Sequence, residues 1–145
     1  MPPTDSRTPN TVNLPRHIVN QLLELATNNP HKEICGLISG QNGHAKHCYP
    51  TANETTAGNC QFLYDPQQSN AAIQQMRERG EDLFAIYHSH PNMPVIPTIA
   101  DIKQLAYPEA ITLIISLQAA GTLQMRAFFY RDNTLQATNV ALNEF

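Results

Sequence analysis

Two histidines one residue apart, His88 and His90, stand at the end of the near-continuous apolar run LFAIYHSH. Side chains on a β-strand alternate between its two faces, so both imidazoles are predicted to point the same way, with Ser89 opposite. Imidazole nitrogen is a common zinc ligand. Two such nitrogens on one face of a strand end can share an ion if a third ligand comes from elsewhere in the chain.

Asp101 is the candidate for that third ligand. The intervening segment PNMPVIP contains three prolines, which stiffen a loop that a following helix can fold back. Asp101 would then lie on the first turn of this helix, with Thr98 as its N-cap. Two nitrogens and one carboxylate oxygen make a zinc site with a fourth position open for water, which is the catalytic rather than the structural arrangement.

The same residues also have simpler interpretations. An H-x-H pair is a weak motif by itself, because histidines at strand ends are often only hydrogen-bonded. Asp101 is also placed where a capping-box acid would lie. The spacing alone therefore leaves both the metal site and these structural roles open.

A hydrolase that activates water on a metal needs a general base close to that water. Glu33 is the best candidate, since it heads the segment EICGLISG, which carries no other charge. A carboxylate at the edge of a buried strand usually has a partner. The alternative is that Glu33 begins the strand in solvent, and the sequence alone does not place it beside the histidines.

The elements that would position these residues are a mixture of strands and helices. LFAIYHSH reads as a central strand buried on both faces, and Asn-Gly in QNG predicts a hairpin turn. The mixed order indicates an α/β or α+β fold with a central mixed sheet flanked by helices. The other predicted strands are TVNLP, EICGLISG, HAKHCYPTAN, CQFLYDP, AITLIISL, LQMRAFFYR and TLQATNVAL. The predicted helices run from Pro15 to about Ala26, from Asp65 to about Arg79 and over TIADIKQLAY. The inner side of the second helix is predicted to carry Ala71, Ala72, Ile73 and Met76.

The 145 residues fit one domain over residues 11–145, preceded by a polar, Pro/Thr-rich tail over residues 1–10 that we expect to be disordered. The formal net charge is -3 and no run of Lys or Arg occurs, so nucleic-acid or anionic-membrane binding has no electrostatic support. No apolar stretch reaches the roughly 18 residues of a membrane span, and the first residues do not resemble a secretion signal.

The three cysteines, Cys35, Cys48 and Cys60, are an odd number without a C-x-x-C motif. That is a poor framework for disulfides or structural zinc. We expect small buried or half-buried hydrophobic side chains in a reducing cytoplasm.

Together, Glu33 in EICGLISG, the tetrapeptide HSHP and Asp101 resemble the motif of the JAMM metallopeptidases, the active branch of the MPN fold. That motif has a glutamate on an early strand, then H-S/T-H-P, and then a serine three residues before an aspartate. The His90-to-Asp101 spacing matches, and the resemblance extends from about Leu14 to about Val140. Thr98 stands where the family usually has serine. Threonine keeps the hydroxyl but adds a methyl group.

This resemblance implies an MPN fold with a cytidine-deaminase-like layout and one Zn²⁺ per chain, bound by His88, His90 and Asp101. It implies that Glu33 is the general base and that the Thr98 hydroxyl steadies the oxyanion. The implied substrate is a peptide or isopeptide bond just after the C-terminal Gly-Gly of a ubiquitin-like protein or a ThiS/MoaD-type sulfur-carrier protein. The compact chain resembles the small prokaryotic members, which are similar to the CysO-cysteine peptidase group that releases cysteine or another adduct from such a carrier. An archaeal-style deconjugase that acts on lysine isopeptides is the close relative. Exposed edge strands would allow a homodimer.

Two other classes of protein compete with this interpretation. The family has an inactive branch of assembly scaffolds, but members of that branch have lost ligands that this chain retains. A zinc deaminase would need H-x-E together with P-C-x-x-C, and the chain has neither.

Overall fold

A seven-stranded mixed sheet with one helix on each face makes up the described part of the chain. The computed structural model describes residues 11–30, 33–50, 66–90, 94–98, 102, 107–118 and 121–143. The elements are β1 Thr11–Pro15, α1 Arg16–Asn28, β2 Cys35–Gln41, β3 His44–Pro50, α2 Pro66–Glu78, β4 Asp82–Ser89, β5 Ile111–Leu117, β6 Leu123–Arg131 and β7 Thr134–Asn143.

The strands lie in the order β1-β7-β6-β5-β4-β2-β3. The pairs β1–β7 and β4–β5 are parallel, and the other neighbours are antiparallel. The two edge strands, β1 and β3, contact each other, so the sheet is strongly curled. The predicted α+β class with a central mixed sheet is therefore confirmed.

The central strand β4 separates two apolar layers. Ala85 and Tyr87 pack into the cluster under α1, and Ile86 packs into the cluster under α2. This alternation follows from the period-two geometry of a strand. It places His88 on the α2 face and leaves Ser89 on the α1 face.

Helix α1 forms as its sequence predicts. Pro15 precedes it in an extended conformation, and Ile18, Leu22 and Ala26 are buried at a four-residue spacing. At its end Asn29 donates from its side chain to the Leu25 carbonyl at 2.9 Å. Within the described part of the chain, no helix is long and apolar enough to cross a membrane.

Helix α2 follows its prediction except at one residue. Met76 is buried and Ala72 and Ile73 are half-buried, whereas Ala71 is exposed. Placing Ala71 on the inner side was wrong, because five positions before Met76 is about 140° around a helix from it. Most of the helix predicted over residues 98–107 and most of the strand predicted over residues 60–66 lie outside the described residues.

Tyr87 ties the three strands β2, β3 and β4 together. Its ring crosses Gly36, its register partner on β2, and its hydroxyl accepts a hydrogen bond from Cys48 Sγ on β3 at 3.4 Å. Burial raises the pKa of the Cys48 thiol to about 11, with the Tyr87 hydrogen bond opposing the shift. A Cβ on Gly36 would lie 2.6 Å from the Tyr49 carbonyl oxygen and would overlap the Tyr87 ring.

We predict that Gly36→Ala destabilises the fold by about 3 kcal/mol, since the new methyl group meets backbone that cannot move aside. The comparison variant is Gly40→Ala on the same strand, where the nearest atoms are Phe84 Cβ and Cδ1, both 2.9 Å away, and the nearest backbone oxygen, that of His44, is 3.2 Å away. That variant should lose about 1 kcal/mol. Urea unfolding monitored by circular dichroism measures both, and equal losses would contradict the prediction.

A buried acid lies at the other end of β4 from the histidines. Gly80, with φ of 75°, closes α2 in a Schellman motif in which the Glu81 N–H donates to the Met76 carbonyl at 2.8 Å. The Glu81 carboxylate accepts hydrogen bonds from Ser39 Oγ at 2.7 Å, from His47 Nδ1 at 2.8 Å and from Tyr49 at 3.3 Å.

These contacts determine the charge state of the acid. Burial works against the ionised form of Glu81, but the hydrogen bonds from Ser39, His47 and Tyr49 and the attraction of His47 outweigh it. The pKa of Glu81 therefore lies below its usual value. The ionised carboxylate clamps β2 and β3 to the start of β4.

The clamp predicts an acid-dependent loss of stability. Because the unfolded chain protonates Glu81 at a higher pH than the folded chain does, the contribution is complete above about pH 4.3 and is lost as the pH falls further. Glu81→Gln should flatten this part of the stability profile, whereas Glu78→Gln, at the exposed end of α2, should leave it unchanged. Urea unfolding at a series of pH values from about 3 to about 7, a range that includes the reference pKa values of carboxyl groups, measures this stability profile. Equal profiles for wild type and Glu81→Gln would refute it.

Candidate active site

The histidine pair lies where β4 ends. His88 is 6% exposed and His90 is 3% exposed. Their Nε2 atoms are 3.1 Å apart, with ring centroids 5.0 Å apart and ring planes tilted by 52°. The predicted common orientation of the two imidazoles is thus present, and both rings are withdrawn from bulk water.

His90 is fixed by three contacts. Its backbone N–H donates to the Ile115 carbonyl at 2.8 Å, and its carbonyl accepts from Ser116 Oγ at 3.1 Å. Its Nδ1 lies 3.0 Å from the Pro94 carbonyl. A carbonyl can only accept, so this contact assigns the ring proton to Nδ1 and leaves the Nε2 lone pair directed toward His88.

The geometry of the pair fits a tetrahedral metal ion. Two nitrogens at the usual zinc distance and the tetrahedral angle are about 3.3 Å apart. The 3.1 Å between the Nε2 atoms of His88 and His90 is close to that separation. The Pro94 carbonyl is the kind of outer partner that fixes the tautomer and orientation of a metal-binding histidine.

Glu33 lies just before β2 and is half-buried. Cys35 is the register partner of His88, and Ile34 is hydrogen-bonded to Ser89 through both its N–H and its carbonyl. Directly opposed residues on antiparallel strands share a face, and side chains two residues apart on a strand share it as well. If the alternation of β2 continues through Ile34, Glu33 would lie on the face of the sheet that carries both histidines.

Thr98 is half-buried, and its carbonyl accepts from the Ile102 N–H at 3.3 Å. A bond that spans four residues has the pattern of an α-helical bond, while the N-cap role of the Thr98 side chain stays a prediction. Asp101 lies outside the described residues, so its role as a third ligand stays a prediction. Within the described ranges, no group of three His, Cys, Asp or Glu side chains is placed to bind a metal ion.

An apolar wall lines the β5 side of the pair. Ile114 is the register partner of His88 and is fully buried with Phe128 and Leu135. Val95 and Ile102, from the segments on either side of Thr98, pack against this cluster. The wall anchors the segment that carries Thr98 and lowers the local dielectric, which strengthens polar interactions at the site.

Two features of the site were not predicted from the sequence. Ser116, which holds the His90 carbonyl, stands inside the apolar run AITLIISL and gives no signal of its own. Cys35 is disulfide-bonded to a residue outside the described part of the chain, so the expectation of a simple buried thiol was wrong there. Cys48 is a free, half-buried thiol as expected.

Comparison with known proteins gives a consistent result. The family model described as prokaryotic homologs of the JAB domain matches residues 15–130. A desampylase from Haloferax volcanii is 25% identical over 101 residues, covering 68% of this chain and 73% of the relative. A probable TtuB-protein conjugate cleaving protease from Thermus thermophilus is 30% identical over 115 residues, covering 79% of this chain and 73% of the relative.

Solved structures share the architecture. The solution structure of a Desulfitobacterium hafniense protein superimposes with a TM-score of 0.78 at 25% identity, covering 92% of this chain and 93% of the other. A JAB1/MPN domain protein from Archaeoglobus fulgidus has a TM-score of 0.62 at 14% identity, covering 91% of this chain and 99% of the other. The second likeness concerns the fold alone. The expected MPN-type fold is confirmed.

Proposed function

Because the chain belongs to the family of prokaryotic homologs of the JAB domain, we propose that it is a zinc-dependent peptidase acting after the C-terminal Gly-Gly of a ubiquitin-like or sulfur-carrier protein. One observation carries the proposal. The buried Nε2 atoms of His88 and His90 are 3.1 Å apart, and the Pro94 carbonyl holds the His90 ring with its lone pair directed inward.

We assign one zinc ion per chain to His88, His90 and Asp101. The donor set supports this ion, since two imidazole nitrogens and one carboxylate leave a position for water. When bound, zinc would lower the pKa of that water and polarise the scissile carbonyl.

The protein groups have separate tasks in the proposed reaction. Glu33 removes a proton from the attacking water, whose oxygen forms a bond to the carbonyl carbon. Thr98 donates a hydrogen bond from its hydroxyl to the carbonyl oxygen while negative charge collects there. The C–N bond then breaks, and Glu33 passes the proton to the leaving amine, so that the enzyme returns to its starting state.

The relatives narrow the substrate class. The Thermus relative's name specifies cleavage of a conjugate between TtuB and protein, and the Haloferax relative is named a desampylase. Both names support the release of a protein modifier by this chain. A carrier joined through Gly-Gly to a lysine side chain is therefore the first substrate to assay, beside the same carrier ending in Gly-Gly-Cys, from which cysteine would be released.

Metal content tests the site directly. Purified wild type should contain about one zinc per chain, and His88→Ala should contain almost none, because a single imidazole with one carboxylate does not complete the site. His44→Ala on the exposed edge strand is the matched control and should retain the metal. Zinc per chain is measured by atomic absorption. A wild type that binds no zinc even after reconstitution would favour an assembly scaffold instead.

The role of Glu33 separates binding from chemistry. Glu33→Gln should keep the zinc and lower kcat by at least about 100-fold, since general base catalysis contributes that much or more. Glu24→Gln, on the exposed face of α1, is the control and should cleave at the wild-type rate. Release of the carrier from the lysine conjugate, followed by gel electrophoresis, gives kcat and KM. Turnover of Glu33→Gln near wild type would remove this assignment.

A further inference from the structure

At the end of the β2–β4 ladder, a side chain makes one of the two hydrogen bonds between Ile34 and Ser89. In a regular antiparallel ladder, every second pair of opposed residues exchanges two backbone N–H···O=C bonds. The Ser89 N–H donates to the Ile34 carbonyl at 2.9 Å in the ordinary way. The return bond is different, because the Ile34 N–H donates to Ser89 Oγ at 2.8 Å.

Because Ser89 Oγ takes the place of a backbone acceptor, β4 can end here with the Ile34 N–H still hydrogen-bonded. Ser89 is the last residue of β4, and the next N–H, that of His90, turns to the Ile115 carbonyl on β5 at 2.8 Å. Ser89 and Ile34 are 5% and 7% exposed, so water does not replace this contact easily. Only a side chain that can accept a hydrogen bond close to the backbone satisfies the Ile34 N–H here.

The bonded nitrogen belongs to a particular peptide unit. The Ile34 N–H belongs to the planar peptide unit that joins the Cα atom of Glu33 to that of Ile34. The hydroxyl of Ser89 therefore holds the plane from which the Glu33 side chain starts. Ser89 is itself joined covalently to His88 and His90 on either side, so this hydrogen bond links the segment of the proposed base to the segment of the proposed ligands.

We propose that Ser89 is a positioning residue that fixes Glu33 relative to the histidine pair. Its side chain lies on the α1 face, opposite the imidazoles, so it does not contact the reacting atoms. This role rests on the proposed function, in which Glu33 is the base. Loss of the hydroxyl would remove this bond from the Glu33–Ile34 peptide while His90 stays held by β5 through Ile115 and Ser116.

The test compares Ser89→Ala with Ser89→Thr and with Ser39→Ala. Ser39 is a matched control, since its fully buried hydroxyl also accepts a hydrogen bond from a backbone N–H on a neighbouring strand, that of His47, at 3.1 Å. This bond lies far from His88 and His90. For each variant we would measure zinc per chain, the unfolding midpoint, and kcat and KM on the lysine conjugate.

Ser89→Ala should keep about one zinc per chain and an unchanged KM while kcat falls by roughly 10- to 100-fold, the cost of a small misplacement of a reacting group. Ser89→Thr should restore kcat to within about 3-fold of wild type, because its hydroxyl can accept the same bond. Ser39→Ala should lower the unfolding midpoint and leave kcat unchanged. If Ser89→Ala does not fold, Ser89→Cys introduces a slightly larger side chain with a weaker acceptor, and it should lower kcat by less than about 10-fold with zinc retained. A wild-type kcat in this variant would overturn the role.

Other outcomes would overturn the role. A wild-type kcat in zinc-loaded Ser89→Ala would show that Glu33 needs no such support. Loss of zinc as complete as in His88→Ala would show that the hydroxyl holds the ligands rather than the base. A wild type that cleaves no Gly-Gly conjugate would instead refute the proposed function, whereas an active wild type with an equally active Ser89→Ala would refute only this inference.

Discussion

The burial of two imidazole rings at the end of the central strand is the constraint around which the site is built. Rings that are 6% and 3% exposed need partners inside the protein, since a buried polar group without one costs free energy. The strand supplies the first contact by placing the two Nε2 atoms 3.1 Å apart. Its neighbours supply the rest, because β2 approaches from one side and β5 from the other.

The two neighbours have different tasks because they run in different directions. Strand β2 is antiparallel to β4, so its beginning meets the end of β4 and brings Glu33 toward the histidines. Strand β5 is parallel to β4, so both end at the same edge, where Ser116 reaches the His90 carbonyl. A mixed sheet is thus needed for the site, as each strand direction contributes a different group.

Local patterns in the sequence predicted much of this arrangement. The shared face of His88 and His90 follows from strand periodicity, and helix α1 follows from the spacing of its apolar residues after Pro15. Contacts between distant segments were not predictable in this way. Glu81 in RERGED reads as part of a charged helix end, yet it is buried because Ser39 and His47, some 40 residues earlier, supply its hydrogen bonds. No motif near Cys35 predicted its disulfide either.

Strand β4 has its acid clamp at one end and its histidines at the other. Its eight residues separate these two groups by about 25 Å at the usual rise of a strand. Free-energy changes at sites so far apart usually add independently. Repacking around Glu81 could therefore raise the thermal tolerance of this protein with little effect on the geometry of the histidine pair.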